Sequence, residues 1–122
     1  MYPIYQMKKV LVVDDDQSIV EVVKYILTSK GFDVHTLDTG INILEIVLVY
    51  DPNLILLDIR LPGKSGIEIC KELKQQHSDL RIILFSAHAD HKMALHESGA
   101  DSFIKKPFDV GDFINTIRSY MN

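Results

Sequence analysis

The chain has 122 residues, of which 47% are hydrophobic and 25% are charged, as is typical of one soluble globular domain. Its net charge of −4 and its pI near 5.6 argue against direct binding of nucleic acid or of an anionic membrane surface. No apolar run is long enough to span a membrane, and the single cysteine, Cys70, suits a reducing compartment, so we expect a cytoplasmic protein.

The first part of the chain alternates between strand and helix patterns. Lys8–Val13 is a short, mostly apolar run that predicts a strand, and Gln17–Lys30 repeats apolar residues at helical spacing until a glycine follows. Asp33–Leu37 predicts a second strand. Gly40–Tyr50 predicts a second helix, which we expect to end before the proline two residues later.

The rest of the chain continues this alternation. The strand predicted at Asn53–Leu57 is strongly apolar, which indicates burial on both faces of a sheet. The remaining predictions are helices at Lys64–His77, Asp90–Ser98 and Val110–Met121 and strands at Leu80–Phe85 and Asp101–Lys105. Five strand–helix repeats in so short a chain predict a single α/β domain, a doubly wound open parallel sheet flanked by five helices.

The candidate functional side chains follow four of the five predicted strands, at the point where each strand ends. Asp14 and Asp15 follow the first strand, Asp58 the third, Ser86 the fourth and Lys106 the fifth. Because the carboxyl ends of parallel strands share one edge of the sheet, and ligands bind there, we expect these side chains to meet in one crevice.

These side chains together suit a divalent cation and a phosphoryl group. Asp14, Asp15 and Asp58 offer the oxygen ligands that Mg²⁺ prefers. A carboxylate can also act as a covalent nucleophile and form an aspartyl phosphate. Lys106 would pair with the phosphoryl oxygens, and Ser86 would donate a hydrogen bond to the same group.

Each of these residues has an ordinary explanation when it is considered alone. Asp14–Asp16 could cap the following helix, and we expect Asp16 to keep that role in any case. Asp58 and Ser86 could be turn or cap residues, and Lys106 could be a solvated lysine. If these ordinary explanations were correct, four independent coincidences would have to place such residues at one edge of the sheet. Their joint placement therefore favours a functional site.

The full set of motifs resembles the receiver domain of two-component response regulators. The resemblance covers the chain from about Lys8 to Tyr120 and implies a flavodoxin-like sheet with strand order 2-1-3-4-5, so that residues 1–122 form one receiver domain. The motifs that carry it, in order, are Asp14-Asp15, Asp58 with Leu61-Pro62 and Gly66 behind it, Ser86-Ala87, and Lys106-Pro107-Phe108.

The resemblance implies a role for each residue of the predicted crevice. Asp58 would be the phosphoacceptor, which takes a phosphoryl group from a histidine kinase or a phosphotransferase. The Mg²⁺ cofactor would be bound directly by Asp15, Asp58 and the backbone carbonyl of Arg60, and by Asp14 through a water. Lys106 would pair with the phosphoryl group, and its peptide bond to Pro107 would be cis.

The resemblance also implies a switch and partners. Ser86 would move toward the phosphoryl group and the ring of Phe103 would turn inward behind it, which would change the surface formed by the fourth helix, fifth strand and fifth helix. That surface would bind a downstream effector or output domain, or a second copy in a homodimer. Arg60 and His88 flank the expected path of an attacking water, and we expect them to modulate the lifetime of the phosphoryl group.

Two other functions remain open from the sequence. A phosphatase could use Asp58 as its nucleophile, but Arg60 stands where a second acid–base carboxylate would be useful. A flavodoxin-type cofactor binder could have the same sheet. However, the acidic turn Asp14–Asp16 would repel the phosphate of the cofactor, and the sequence has no glycine-rich loop there to bind it. We therefore expect a signalling phosphoacceptor, which is not an enzyme beyond Mg²⁺-dependent self-phosphorylation and self-dephosphorylation.

Overall fold

The computed structural model describes residues 7–87 and 90–121. The strands are β1 (Lys9–Val13), β2 (Asp33–Leu37), β3 (Leu54–Asp58), β4 (Arg81–Ser86) and β5 (Ser102–Lys105), and the helices are α1 (Gln17–Ser29), α2 (Ile43–Tyr50), α3 (Gly66–Gln76), α4 (His91–Ser98) and α5 (Val110–Ser119). All pairings are parallel and the strand order is β2-β1-β3-β4-β5, which confirms the predicted fold.

Two apolar cores lie on opposite faces of the sheet. Successive strand residues point to opposite faces, so Val10 and Val12 of β1 pack against α1 and α5, whereas Leu11 and Val13 pack against α2, α3 and α4. The central strand β3 is buried at every position, as expected for a strand that is covered on both faces. None of the helices in the described ranges is both long and apolar enough to cross a membrane.

The predicted helix at Gly40–Tyr50 is wrong at its start, because α2 begins at Ile43. Asn42 has a left-handed backbone (φ +63°), so the chain turns sharply before the helix. Gly40 lies directly against α3, and a Cβ atom there would be 2.4 Å from Cδ1 of Ile69. The apolar pattern extended the predicted helix over this turn, because Ile41 continues the apolar spacing although it precedes the helix.

Several other boundaries differ from the predictions by a few residues. The third helix begins at Gly66 instead of Lys64, because Ser65 is its N-cap and its hydroxyl accepts the N–H of Ile67 at 3.1 Å. The last helix ends at Ser119, and the N–H of Met121 donates to the carbonyl of Arg118 at 3.2 Å in a tighter turn. The third and fourth strands each run one residue further than predicted and include Asp58 and Ser86.

Candidate functional site

Four neighbouring strands bring the predicted polar residues to one edge of the sheet. β1, β3, β4 and β5 lie side by side, so Asp14, Asp58, Ser86 and Lys106 all stand at the carboxyl edge. Residues 58 and 106, which are far apart in sequence, approach to 3.4 Å between the Asp58 Oδ2 and the Lys106 Nζ atoms. The structure therefore assembles the crevice that the sequence predicted.

Three carboxylates converge in this crevice. Asp14, Asp15 and Asp58 each offer an oxygen, and these oxygens lie within 4.8 Å of one another. Asp14 is 0% exposed and Asp58 6% exposed, whereas Asp15 faces solvent. This donor set fits a hard cation such as Mg²⁺, which takes oxygen ligands from one or two carboxylates and keeps waters on its open side.

One lysine serves the two buried carboxylates. Lys106 Nζ donates to Asp14 Oδ2 at 2.6 Å and to Asp58 Oδ2 at 3.4 Å. The same ammonium lies 4.6 Å from the centroid of the Phe85 ring, so it packs over an aromatic face and points into the crevice. Three carboxylates face one ammonium, and the crevice therefore carries an excess of negative charge.

Burial and this excess of negative charge together raise the pKa of Asp58. Burial raises the pKa of Asp58 and the negative charge of Asp14 raises it further, while Lys106 and the N–H of Arg60 act in the opposite direction, and the result is about 6. A bound cation reverses the sign of the repulsion, because it favours the charged form of every carboxylate nearby. The carboxylate cluster thus matches Mg²⁺ in its electrostatics as well as in its ligand atoms.

The turn after β1 fixes the orientation of Asp14. The N–H of Asp16 donates to Asp14 Oδ1 at 2.9 Å, while Lys106 holds the other oxygen. The side chain of Asp16 accepts the N–H groups of Ser18 and Ile19 at 3.0 and 3.4 Å and caps α1. The predicted capping role of Asp16 is confirmed, and the same short turn sets both aspartates.

The loop after β3 passes directly over Asp58. The N–H of Arg60 donates to Asp58 Oδ1 at 3.3 Å, and the Arg60 side chain is exposed. The first residue of α3, Gly66, packs onto the backbone here, and a Cβ atom on it would lie 2.1 Å from the carbonyl oxygen of Asp58. Only glycine allows this approach, which holds the start of α3 against the backbone at the end of β3.

Ser86 and Phe103 lie on the same face of the sheet. Phe103 pairs with Leu84 in the β4–β5 register, and Leu84 and Ser86 are two positions apart on β4, so all three side chains point to one side. Ser86 is buried and Phe103 is half-buried. The Lys106–Pro107 peptide bond is cis, as the resemblance implied.

Two aromatic neighbours of the site were not predicted from the sequence. The ring of Phe85 lies under Lys106, and the ring of His91, at the start of α4, stacks on Phe103 with 4.0 Å between centroids and 24° between planes. The sequence predicts Phe85 only as the last residue of the fourth strand, and nothing in the spacing of α4 relates His91 to Phe103. His88, which we expected to modulate the site, lies outside the described residues.

Comparison with known proteins gives one family over most of the chain. The response regulator receiver domain model matches residues 10–118. The fold is similar to that of a CheY-like response regulator receiver domain protein from Methanospirillum hungatei, with TM-score 0.88, 28% identity and coverage of 95% of this chain and 94% of that chain. It is also similar to the response regulator protein TrrA from Thermotoga maritima, solved in complex with Mg²⁺-BeF, with TM-score 0.86, 31% identity and coverage of 93% and 99%. The receiver domain of NtrX from Brucella abortus gives TM-score 0.84 at 31% identity, with coverage of 92% and 97%.

Proposed function

Because this chain belongs to the response regulator receiver domain family, it is a phosphorylation-activated switch of two-component signalling, and we propose that Asp58 is the residue that carries the phosphoryl group. Its partner is a histidine kinase and its cofactor is Mg²⁺, and it is a phosphoacceptor rather than an enzyme. The observation that carries the proposal is the position of Asp58, which is buried, within 3.4 Å of Lys106 and inside the acidic triad.

In this proposal the Asp58 carboxylate attacks the phosphorus of the donor. A new O–P bond forms as the bond from phosphorus to the donor nitrogen or oxygen breaks, and the leaving group keeps the electron pair. A phosphohistidine donor then takes up a proton as neutral imidazole. Without metal the pKa of Asp58 is about 6, and bound Mg²⁺ would favour the ionised carboxylate, which is the form that attacks.

We propose that Asp15, Asp58 and the backbone carbonyl of Arg60 bind Mg²⁺ directly and that Asp14 acts through a water. When bound, the ion would neutralise the negative charges of the phosphoryl group and of the carboxylates. Lys106 then has a second task, since its ammonium can pair with the incoming phosphoryl oxygens while it remains beside Asp14.

We propose that the Ser86 hydroxyl donates a hydrogen bond to a phosphoryl oxygen and that Phe103 turns inward as Ser86 moves. The proposal is supported by the position of both side chains on the same face of two neighbouring strands. The outcome would be a changed α4–β5–α5 surface, which binds a downstream effector or output domain or a second copy of the chain.

Arg60 and His88 are proposed to set the lifetime of the phosphorylated form. Arg60 is exposed and its own N–H donates to Asp58 Oδ1, so its side chain starts beside the carboxylate that a hydrolysing water would approach. We further propose that residues 1–122 form one receiver domain, of which the family match spans 10–118, and that the domain is cytoplasmic.

The test of the proposal is incubation with Mg²⁺ and acetyl phosphate, followed by intact mass spectrometry. We expect one added phosphoryl group, lost when EDTA is present and lost in Asp58→Asn. Asp112→Asn is the matched control, since it changes an exposed aspartate on α5 and should leave the mass shift intact. A mass shift that persists in Asp58→Asn would overturn the assignment, and multiple turnover of a phosphate ester would indicate the phosphatase alternative.

A further inference from the structure

Helix α2 is apolar on the side that faces solvent as well as on the side that faces the core. Its sequence from residue 43 to 50 contains one charged residue, Glu45. Leu48 is 67% exposed and Val49 is 88% exposed. These two adjacent apolar side chains on the outer surface of the helix are called the α2 ridge. Scattered apolar side chains on a surface are ordinary, but a contiguous apolar ridge on a single helix is typical of a binding surface.

A cleft lies on either side of this α2 ridge. The α2–β2 cleft, of about 590 Å³, is lined by Val49, Ile46 and Tyr50 of α2 and by residues 9, 33 and 35. The α2–α3 cleft, of about 520 Å³, is lined by residues 47–48, 51–53 and 76–80. Apolar side chains of a partner could enter the mostly apolar α2–β2 cleft, while polar side chains of the partner face the more polar α2–α3 cleft.

The walls of the α2–β2 cleft are held in place by contacts within the chain. The Tyr50 hydroxyl donates to the carbonyl of Asp33 at 3.0 Å, and its ring packs on His35 with 5.2 Å between centroids. Burial, with the nearby Asp33, raises the pKa of Tyr50 to about 12, so this hydroxyl stays protonated and keeps its hydrogen bond. Because the cleft already exists in the free protein, less conformational entropy is lost when a partner binds.

Acidic side chains border both clefts. Asp33 and Glu45 line the α2–β2 cleft, and Asp51 and Asp79 line the α2–α3 cleft. The lysine of the α2–β2 cleft, Lys9, donates to the carbonyl of Tyr50 at 3.1 Å and lies 5.6 Å from that ring. The apolar ridge therefore has a border whose excess charge is negative.

We propose that the α2 ridge is a docking surface for a basic amphipathic helix. Leucine-like side chains of such a helix would cover the ridge and fill the α2–β2 cleft, and its lysines or arginines would lie beside the four acidic residues of the two clefts. A second copy of this chain would place the same acids opposite one another, and an anionic lipid surface would repel them, so charge complementarity selects a basic partner. This surface is at α2, separate from the phosphoacceptor crevice and from the α4–β5–α5 surface.

The experiment uses two synthetic helical peptides with the same leucine face, one with lysines on its polar face and one with glutamates. Each is titrated into the ¹⁵N-labelled protein and followed by amide chemical shifts. We expect the lysine peptide alone to bind, with shifts confined to residues 41–51 and to the lining of the two clefts, and with affinity that falls as salt is added.

Matched variants separate the apolar and the charged contributions. Val49→Ser should lower the affinity for the lysine peptide about tenfold, because a buried valine contributes about 1.5 kcal/mol. The control is Tyr25→Ser on α1, where Tyr25 is 77% exposed. Glu45→Gln with Asp79→Asn should weaken binding several-fold, whereas Glu21→Gln with Glu97→Gln changes the net charge equally at other exposed positions and should not.

Three results would overturn the proposal. They are equal binding of the two peptides, shifts centred on α1 or on α4–β5–α5, and a concentration-dependent dimer that Val49→Ser abolishes. All variants lie on the surface away from the crevice, so circular dichroism and phosphorylation by acetyl phosphate verify that each is folded.

Discussion

The two ends of the sheet each hold a cluster of charged side chains, but the clusters differ in their balance. At the amino edge, Asp101 Oδ2 accepts Lys74 Nζ at 2.7 Å and the N–H of Ile82 at 2.8 Å, and its Oδ1 accepts Arg81 Nη1 at 3.3 Å. One carboxylate there faces two cations and an amide. At the carboxyl edge, three carboxylates face the ammonium of Lys106.

This difference appears in the pKa values of the two aspartates. Burial alone would raise the pKa of Asp101, but the hydrogen bonds from Lys74 and from the Ile82 N–H outweigh burial and hold that pKa below its usual value. The pKa of Asp58 moves in the opposite direction, to about 6. The amino edge is thus neutralised within the chain and stabilises the fold, whereas the carboxyl edge requires a cation from outside, as a binding site does.

Removal of the central carboxylate of the amino edge should have the largest effect on stability. Asp101→Ala leaves Lys74 and the Ile82 N–H without their acceptor, and we expect a loss of about 3 kcal/mol in the free energy of unfolding. Glu21→Ala, at an exposed position of α1, is the control and should change little. Urea titration measures both, and Mg²⁺ should stabilise Asp101→Ala only as much as it stabilises the parent, because the metal site is intact and the lost contacts lie elsewhere. Equal stability of the two variants would show that the amino edge contributes nothing.

The corresponding change at the carboxyl edge should respond to Mg²⁺. Lys106→Met removes the partner of the fully buried Asp14 and leaves like charges together, and we expect a loss of about 2 to 3 kcal/mol without metal. Added Mg²⁺ should restore much of this stability, because it binds the folded state and neutralises the same carboxylates. Urea titration with and without Mg²⁺ gives the comparison. If Asp101→Ala gained as much from Mg²⁺ as Lys106→Met, the contrast between the two edges would be wrong.

Removal of a carboxylate from the carboxyl edge should stabilise the protein. The raised pKa of Asp58 gives stability that is present below about pH 4, the unfolded value, and is lost as the pH rises through about 6. Asp58→Asn removes the repulsion, and we expect a gain of about 2 kcal/mol at pH 7 without metal and a flatter pH profile between 4 and 6.

The lowered pKa of Asp101 gives a pH dependence of opposite sign for the amino edge. Its contribution is present above the unfolded value and is lost as the pH falls through the folded pKa, so Asp101→Asn should flatten the acid side of the profile instead. Urea titrations from pH 3 to pH 8 for both variants measure the two slopes. A wild-type profile that rises from pH 4 to 6 with Asp58 intact would contradict the assigned sign.

The sequence predicted the carboxyl edge and missed the amino edge, and the reason is physical. Asp58, Ser86 and Lys106 each end an apolar run, so strand alternation and parallel topology suffice to bring them together. The amino-edge cluster joins the end of α3 to the starts of β4 and β5, and it depends on a helix end and a strand register that periodicity does not define.

Local backbone geometry escaped the sequence for a similar reason. The left-handed turn at Asn42 precedes α2 where Gly40 lies against Ile69 of α3, and the apolar pattern does not indicate this turn. The stack of His91 on Phe103 likewise depends on how α4 lies against β5. Spacing along one element does not encode contacts between elements.

That stack gives the smallest predicted effect, and it links the carboxyl edge to the proposed switch. The rings of His91 and Phe103 are 4.0 Å apart, so an inward turn of Phe103 must break their contact. An aromatic pair of this kind contributes about 1 kcal/mol, so His91→Ala should shift the equilibrium toward the inward ring by about fivefold. Because the inward ring and the phosphoryl group favour the same state, the affinity for Mg²⁺-BeF should rise by a similar factor.

His91→Phe preserves the stack and should match the parent, and His96→Ala on the same helix is the control. Titration of the three variants with beryllofluoride, followed by amide chemical shifts, measures the change, and an unchanged affinity in His91→Ala would separate His91 from the switch without affecting the assignment of Asp58.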